Sequence, residues 1–293
     1  MTLATSGGAP PYPGACDCHV HVFDDGSRYP FDPARTYTPG PASLDELLAL
    51  HRRLGVQRVV LVQPSPYGAD NACMLDALAG LGGAGRAVAV IDEATSDTAL
   101  QRMHEAGVRG VRVNLETAGR HDPGHARERL LQAARRVAPL GWHVQTYTNL
   151  ATLSALGDAL AGLPAVLVVD HFGRAQAAEG TGQAGFDVLL RALASGRVYV
   201  KLSAPYRISA QPDYADAAAI ARALIDAAPD RVLWGTDWPH PGWAAGGPPS
   251  ATGITPFRRE DDGRALQRCL EWAGTPERAQ ALLVDNPARL YGF

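Results

Sequence analysis

The sequence predicts an α/β protein folded as a single-domain, distorted (β/α)8 TIM barrel, and three observations carry that reading. Short apolar runs recur eight times, alternating with stretches of helical pattern; strands that alternate with helices make βαβ units on a parallel sheet. The eight units occupy residues 16–293, close to the roughly 250 residues of a typical closed barrel. A doubly wound open sheet, the competing architecture, normally carries a GxGxxG turn after its first strand, and none is present there.

In chain order the expected strands are 16–22, 59–65, 87–92, 108–115, 143–148, 166–172, 198–204 and 231–238. Helical patterns lie near 43–54, 71–80, 96–106, 125–138, 150–161, 183–195, 214–227 and 263–273, with a last one near 276–284. Ser43-Leu-Asp-Glu46 reads as a capping box opening the first helix. Gly55 and Gly107 supply left-handed residues that end two of them. Pro276 follows Thr275 at a first helical position, where a missing N–H costs nothing.

Composition narrows the function classes. Of 293 residues 46% are hydrophobic and 19% charged, which favours a sizeable core over disorder. Lysine plus arginine number 27 against 30 acidic residues, a net charge of −3 with no long run of either sign. That balance argues against nucleic-acid and membrane-surface partners, and no apolar run approaches the roughly 18 residues of a membrane span. Residues 1–15 lack a basic n-region and an apolar h-region, so they read as a flexible leader before a barrel at 16–293. Four cysteines are too few for a disulfide scaffold, and Cys16-x-Cys18 lacks CxxC spacing. The expectation is a cytoplasmic protein, with a homo-oligomer left open.

The strongest chemical signal is Asp17-Cys-His19-Val-His21 at the end of the first strand. Alternation puts Asp17, His19 and His21 on one face and Cys16, Cys18, Val20 and Val22 on the other. The apolar set should face the helices, sending both histidines into the barrel. Two imidazoles so spaced can hold one metal ion or polarise one oxygen; hydrogen-bonded core histidines are the alternative. Gly235-Thr-Asp237-Trp-Pro-His240 closes the eighth strand and places Asp237 at the mouth. A carboxylate there can take a proton from an attacking water, or simply initiate a turn. Asp170-His171-Phe-Gly ends the sixth strand in the same manner.

Alternation also turns Arg112 and Asn114 inward on the fourth strand, His143, Gln145 and Tyr147 on the fifth, and Lys201 and Ser203 on the seventh. An inward guanidinium requires an anion, so Arg112 points to a ligand carboxylate, with an internal ion pair as the alternative. Lys201 is expected to pair with Asp170 or Asp237. Trp142, Trp234 and Trp272 read as core, and Trp238 and Trp243 as flanking the mouth. The Gly- and Pro-rich segment 241–256 is long enough to form a lid.

DCHVH, VVDHFG, LWGTDWPH and the ending NPARLYGF, in that order, resemble the amidohydrolase superfamily. RYPFDPARTYTP at 28–39, LVQPSPYG at 61–68, VRGVRVN at 108–114 and KLSAPYRIS at 201–209 are similar to its branch of 2-pyrone-4,6-dicarboxylate lactonase and related sugar-lactone hydrolases. The resemblance implies a distorted TIM barrel that opens a small carboxylated lactone, either 2-pyrone-4,6-dicarboxylate-like or a sugar-acid lactone. It makes Asp237 the base that activates water and gathers His19, His21 and His171 around the scissile carbonyl. Arg112 and Arg207 would grip substrate carboxylates and Tyr37 would touch substrate from a loop; Ser65, Tyr147 and His240 follow by position.

Binuclear relatives supply a bridging Lys or Glu from strand 4 and a His from strand 5, where this chain has Arg112 and Gln145. Arginine does not lose its proton to bind metal. The resemblance therefore implies either no cofactor or one Zn or Mn ion on His19, His21, His171 and Asp237. The branch also carries a second arginine soon after the strand 4 one; here Ala118 stands in its place and Arg120 two residues on. A sugar-acid lactone with one carboxylate competes for that reason. Three other readings stay open: a sugar-lactone isomerase that migrates an acyl group, a metal-dependent decarboxylase of the superfamily, and a small-acid-binding barrel without turnover.

Overall fold

A computed structural model of the chain describes residues 12–117, 119, 121–242 and 250–293. Most of the expected leader, Arg120, Ala118, Trp243 and the middle of the 241–256 segment lie outside these residues. Eight parallel strands follow one another in chain order: β1 Cys16–Val20, β2 Arg58–Val62, β3 Gly85–Ala89, β4 Val108–Asn114, β5 His143–Tyr147, β6 Leu167–Val169, β7 Val198–Leu202 and β8 Val232–Trp234. The principal helices between and after them are α1 Leu44–Leu54, α2 Ala72–Leu81, α3 Asp97–Ala106, α4 Pro123–Val137, α5 Leu150–Leu156, α6 Phe186–Ala194, α7 Ala217–Ala227 and α8 Asp262–Ala273. Two more, α9 Pro276–Gln280 and α10 Asn286–Tyr291, lead to the C-terminus.

The barrel closes past the end of β8 rather than along it. Val20 bridges Trp238, the Asp237 amide donates to His19 O at 2.9 Å, and the His21 amide donates to Trp238 O at 2.8 Å. The distorted TIM barrel read from the sequence is thus the fold, with the seam between first and last strands lying at the rim.

The helix boundaries obey the local chemistry. The Ser43 hydroxyl accepts the Glu46 amide while the Glu46 carboxylate accepts the Ser43 amide, the reciprocal box expected. Gly55 and Gly107 end α1 and α3 at φ +72° and +107°. Several strands are shorter at their C-terminal ends than expected. Residues such as Ser65 and His171 leave the ladder for 3-10 turns, Ser65–Tyr67 and His171–Arg174.

The β1 face assignment needs a correction. Asp17 pairs with Val59 and Val20 with Leu61, so β1 carries one extra residue between them, a bulge that resets the alternation. Cys16 and Cys18 point into the barrel against Val60, Val62, Val88, Val168, Tyr199 and Leu233. Asp17 turns outward to His51 of α1, while His19 and His21 still face inward.

Below the polar rim the barrel is filled. Cys16, Cys18 and the inward valines form an apolar floor, closed by Tyr291 of α10. Gly110 makes room for His143, since a Cβ there would fall 2.4 Å from the imidazole. The outer core lies between strands and helices and includes the expected Trp142, Trp234 and Trp272. Ala15 is buried and accepts the Gln57 and Arg58 amides, and Tyr12 before it packs against the outer core. Among the described residues no helix is long and apolar enough to cross a membrane.

Candidate active site

The C-terminal ends of the strands surround a cavity of about 620 Å³, at the end of the barrel where catalytic residues collect. Of the residues expected there, His21, His171 and Asp237 line it, with Arg112, Arg207 and Tyr147. Tyr37 and Ser65 line it from the loops after β1 and β2. His19 sits beneath this layer, fully buried. His240 is outside it: its Nε2 faces Asp262 of α8 at 3.1 Å. Its buried ring edges onto Tyr206.

The imidazoles from opposite walls meet. The His19 ring centroid lies 5.1 Å from that of His21 and 4.7 Å from that of His171. Asp237 Oδ1 stands 3.4 Å from His19 Nε2 and 3.5 Å from His21 Nε2. Its Oδ2 accepts the Tyr206 hydroxyl at 2.5 Å and Arg207 Nη2 at 3.0 Å. Burial alone would raise the Asp237 pKa, but Arg207 and the neighbouring imidazoles hold it well below the usual carboxylate range. The side chain is an anion throughout the neutral range.

His19 and His171 are neutral. Burial lowers the His19 pKa to about 4 against the pull of Asp170, and drives that of His171 well below its ordinary value although Asp237 opposes it. His171 Nδ1 meets the Ser203 hydroxyl at 2.8 Å. His21 Nδ1 lies 2.7 Å from Val62 O, an acceptor that requires the proton on Nδ1. Its other ring nitrogen, Nε2, faces Asp237 Oδ1.

A polar layer supports this rim. Asp170 Oδ1 lies 3.3 Å from His19 Nδ1, while its Oδ2 accepts Gln145 Nε2 at 3.2 Å and Arg112 Nε and Nη2 at 3.4 Å. Arg112 therefore has the internal ion pair that the sequence left as its alternative, and also borders the cavity. Lys201 Nζ donates to Gln145 Oε1 at 2.6 Å and lies 3.9 Å from Asp170, the first of its two expected partners. Burial pushes its pKa down to about 8. Burial likewise raises Tyr37 to about 12, with Ser65, Arg112 and Arg207 opposing.

A single metal ion fits the donor set. His19, His21 and Asp237 form one group of close donors, and His19, Asp170 and His171 another. His19 Nε2 and Asp237 Oδ1 are buried without a hydrogen-bond partner. Their 3.4 Å separation equals the spacing of roughly 3.4 Å between ligands on a tetrahedral ion with bonds of about 2.1 Å. The two groups share His19, so among the described residues they do not make two independent ion sites.

Sequence reasoning missed Tyr206, Arg174, Glu116 and Arg258, all of which line the cavity. Tyr206 adjoins the recognised Arg207 and could have been noticed. Arg174 and Glu116 pair across two loops at 3.3 Å, and no local pattern announces such a pair.

Comparisons with known proteins give the family. A family model described as Amidohydrolase matches residues 16–293. A 2-pyrone-4,6-dicarboxylate hydrolase of Comamonas testosteroni is 41% identical over 95% of this chain and 90% of its own. A 4-sulfomuconolactone hydrolase of Hydrogenophaga intermedia is 33% identical over 96% and 89%, respectively. A D-galactarolactone isomerase of Agrobacterium fabrum is 28% identical over 96% and 92%. With its histidine pair at the end of β1, its aspartate past β8 and a family match that spans the whole barrel, the chain belongs to the amidohydrolase family.

Proposed function

We propose that this protein hydrolyses a small carboxylated lactone, using Asp237 to activate the attacking water. One observation carries the reading: an anionic Asp237, within 3.5 Å of two imidazoles, faces a cavity that Arg112 and Arg207 also line. Relatives named for lactone hydrolysis support it. Lactone opening needs a base for water, donors for the carbonyl oxygen and an anchor for the ring, and these side chains supply all three.

Substrate enters with a carboxylate toward Arg207 and Arg112, whose forked donors match it in bidentate geometry. Tyr37, Ser65 and Tyr147 add hydroxyls around the ring. Asp237 takes a proton from water as the water oxygen bonds to the lactone carbonyl carbon. A neutral His171 that accepts the Ser203 proton at Nδ1 carries its own proton on Nε2, a donor for the oxyanion. The ring C–O bond then breaks, and the proton held by Asp237 passes to the departing oxygen. Water is consumed, and a hydroxy acid or its keto tautomer results.

His19, His21 and Asp237 would hold a Zn or Mn ion if one binds, with His171 nearby. Such an ion supplies Lewis-acid polarisation of the carbonyl and a lowered water pKa. The steps above use protein groups alone. We place the protein in the cytoplasm because all four cysteines are free and buried, as a reducing compartment allows.

The test is a panel of aromatic-acid and sugar-acid lactones with Asp237→Asn as control. Hydrolysis by wild type and a loss of about three to four orders of magnitude in the variant are expected. Undiminished turnover in Asp237→Asn would remove the base assignment. The isomerase relative favours a second reading, acyl migration at the same site. Turnover in oxygen-labelled water separates the two, because only hydrolysis leaves solvent oxygen in the product.

A further inference from the structure

We infer that Asp17, on the outer side of the barrel wall, is the positioning residue for the Asp237 base. The inference rests on the hydrolytic reading above and extends it to a side chain that does not touch the cavity. The bulge in β1 turns Asp17 away from the barrel axis and toward the end of β8. There its Oδ1 accepts the amides of Thr236 at 2.9 Å and His19 at 3.2 Å. Its Oδ2 accepts the Thr236 hydroxyl at 2.6 Å and faces His51 Nε2 of α1 at 3.3 Å.

The Thr236 hydroxyl in turn accepts the Trp238 amide at 3.0 Å, and the Asp237 amide donates to His19 O at 2.9 Å. Three consecutive amides, those of residues 236, 237 and 238, are thus referred back to β1, two of them through the Asp17 carboxylate. A buried carboxylate without these donors would be costly; with them it is a rigid staple. Gly235 permits the approach, since a Cβ there would fall 2.8 Å from the His19 amide nitrogen.

The staple holds a conformation that the chain does not favour by itself. Asp237 sits at φ +67°, and a non-glycine residue stays in that region only where its surroundings over-determine it. The same Oδ1 bonds the His19 amide, so Asp17 fixes the base and the imidazole 3.4 Å from it relative to each other. Arg112 reaches the cavity from β4 and Arg207 from the turn after β7. Loss of the staple should therefore slow the chemical step and leave substrate binding alone.

The experiment compares Asp17→Asn, Thr236→Val and Thr236→Ser in the full chain, by amide hydrogen exchange and by kinetics on 2-pyrone-4,6-dicarboxylate. In Asp17→Asn and Thr236→Val, exchange at residues 235–240 should quicken at least about tenfold while the helices keep their protection. Turnover should fall about 10- to 100-fold in kcat with KM within about twofold, the cost of a misplaced base. Thr236→Ser keeps the hydroxyl and should behave as wild type. Should Asp17→Asn fail to fold, the valine and serine variants still decide the matter. Unchanged exchange at 235–240, or kcat and KM moving together, overturns the inference. A wild type inactive on every lactone would end the hydrolytic reading, and the exchange data would still judge the staple.

Discussion

Arg207 Nη2 donates to Asp237 Oδ2 at 3.0 Å, and the same guanidinium lines the cavity that substrate must enter. In the proposed mechanism one cation thus both restrains the base and meets the substrate carboxylate. It is the chief attraction holding the Asp237 pKa down. The proton-accepting form exists above the folded pKa and is lost as pH falls through it, so wild-type activity should persist well into the acid range. Arg207→Met removes that attraction and raises the Asp237 pKa. The acid limb of kcat should then move up by about one pH unit or more, with KM raised about 10- to 100-fold for the lost charged hydrogen bonds. A pH–rate series on both proteins checks the sign. An acid limb that stays in place would detach Arg207 from the base.

Lys201 allows a stability prediction of opposite sense. Burial lowers its pKa from 10.5 to about 8, so the folded protein holds this proton less tightly than the unfolded chain. Between those values the unfolded state binds more protons, and stability rises with pH. The burial penalty is in force below pH 8 and is relieved as pH climbs toward 10.5. Relative to Lys201→Met, wild type should gain on the order of 3 kcal/mol across that window. Urea unfolding of both proteins at pH 7, 9 and 10.5 measures it. Parallel curves would mean that Lys201 keeps an ordinary pKa.

What was legible in the sequence was local. Capping boxes and terminal glycines act over three or four residues, so α1 and α3 could be bounded without a fold. The histidines at the end of β1 and the aspartate after β8 stand at strand ends, and alternation sends Arg112 inward; His19 and His21 also face inward, but through the β1 bulge rather than by the simple alternation that predicted it. What failed was long-range. The β1 bulge depends on Asp17 meeting Thr236, 219 positions away, and simple parity has no knowledge of that partner. Arg174 reaches the cavity because His171, Phe172 and Arg174 all take positive φ, which few sequences advertise at non-glycine positions. His240 also takes positive φ and faces Asp262 of α8, a partner 22 positions away that its motif does not announce.

Metal dependence follows from the charge already present. Arg207 and Tyr206 both bond Asp237 Oδ2, which compensates the carboxylate before any ion arrives. Dialysis against a chelator should leave hydrolysis within about twofold, since the proton route through Asp237 needs no Lewis acid. Loss of activity restored by Zn or Mn at one ion per chain would instead assign the His19, His21 and Asp237 donors to a metal.

Arg174 bears on how many carboxylates the substrate carries. Its guanidinium lies 5.9 Å from the Tyr147 ring centroid and that of Arg207 lies 5.4 Å from it, and both donate to the Tyr147 hydroxyl. Arg174 is held by Glu116, yet its Nε is buried without a partner, a donor that a second carboxylate would satisfy. Arg174 comes to the cavity from the loop after β6. Arg174→Met should raise KM for 2-pyrone-4,6-dicarboxylate about tenfold, as loss of one charged hydrogen bond does. For a sugar-acid lactone with one carboxylate, KM should change by less than about twofold, because Arg207 and Arg112 suffice to anchor it. Steady-state kinetics on the two substrates gives the comparison. Equal losses on both would make Arg174 a support for Tyr147 rather than a reader of the second charge.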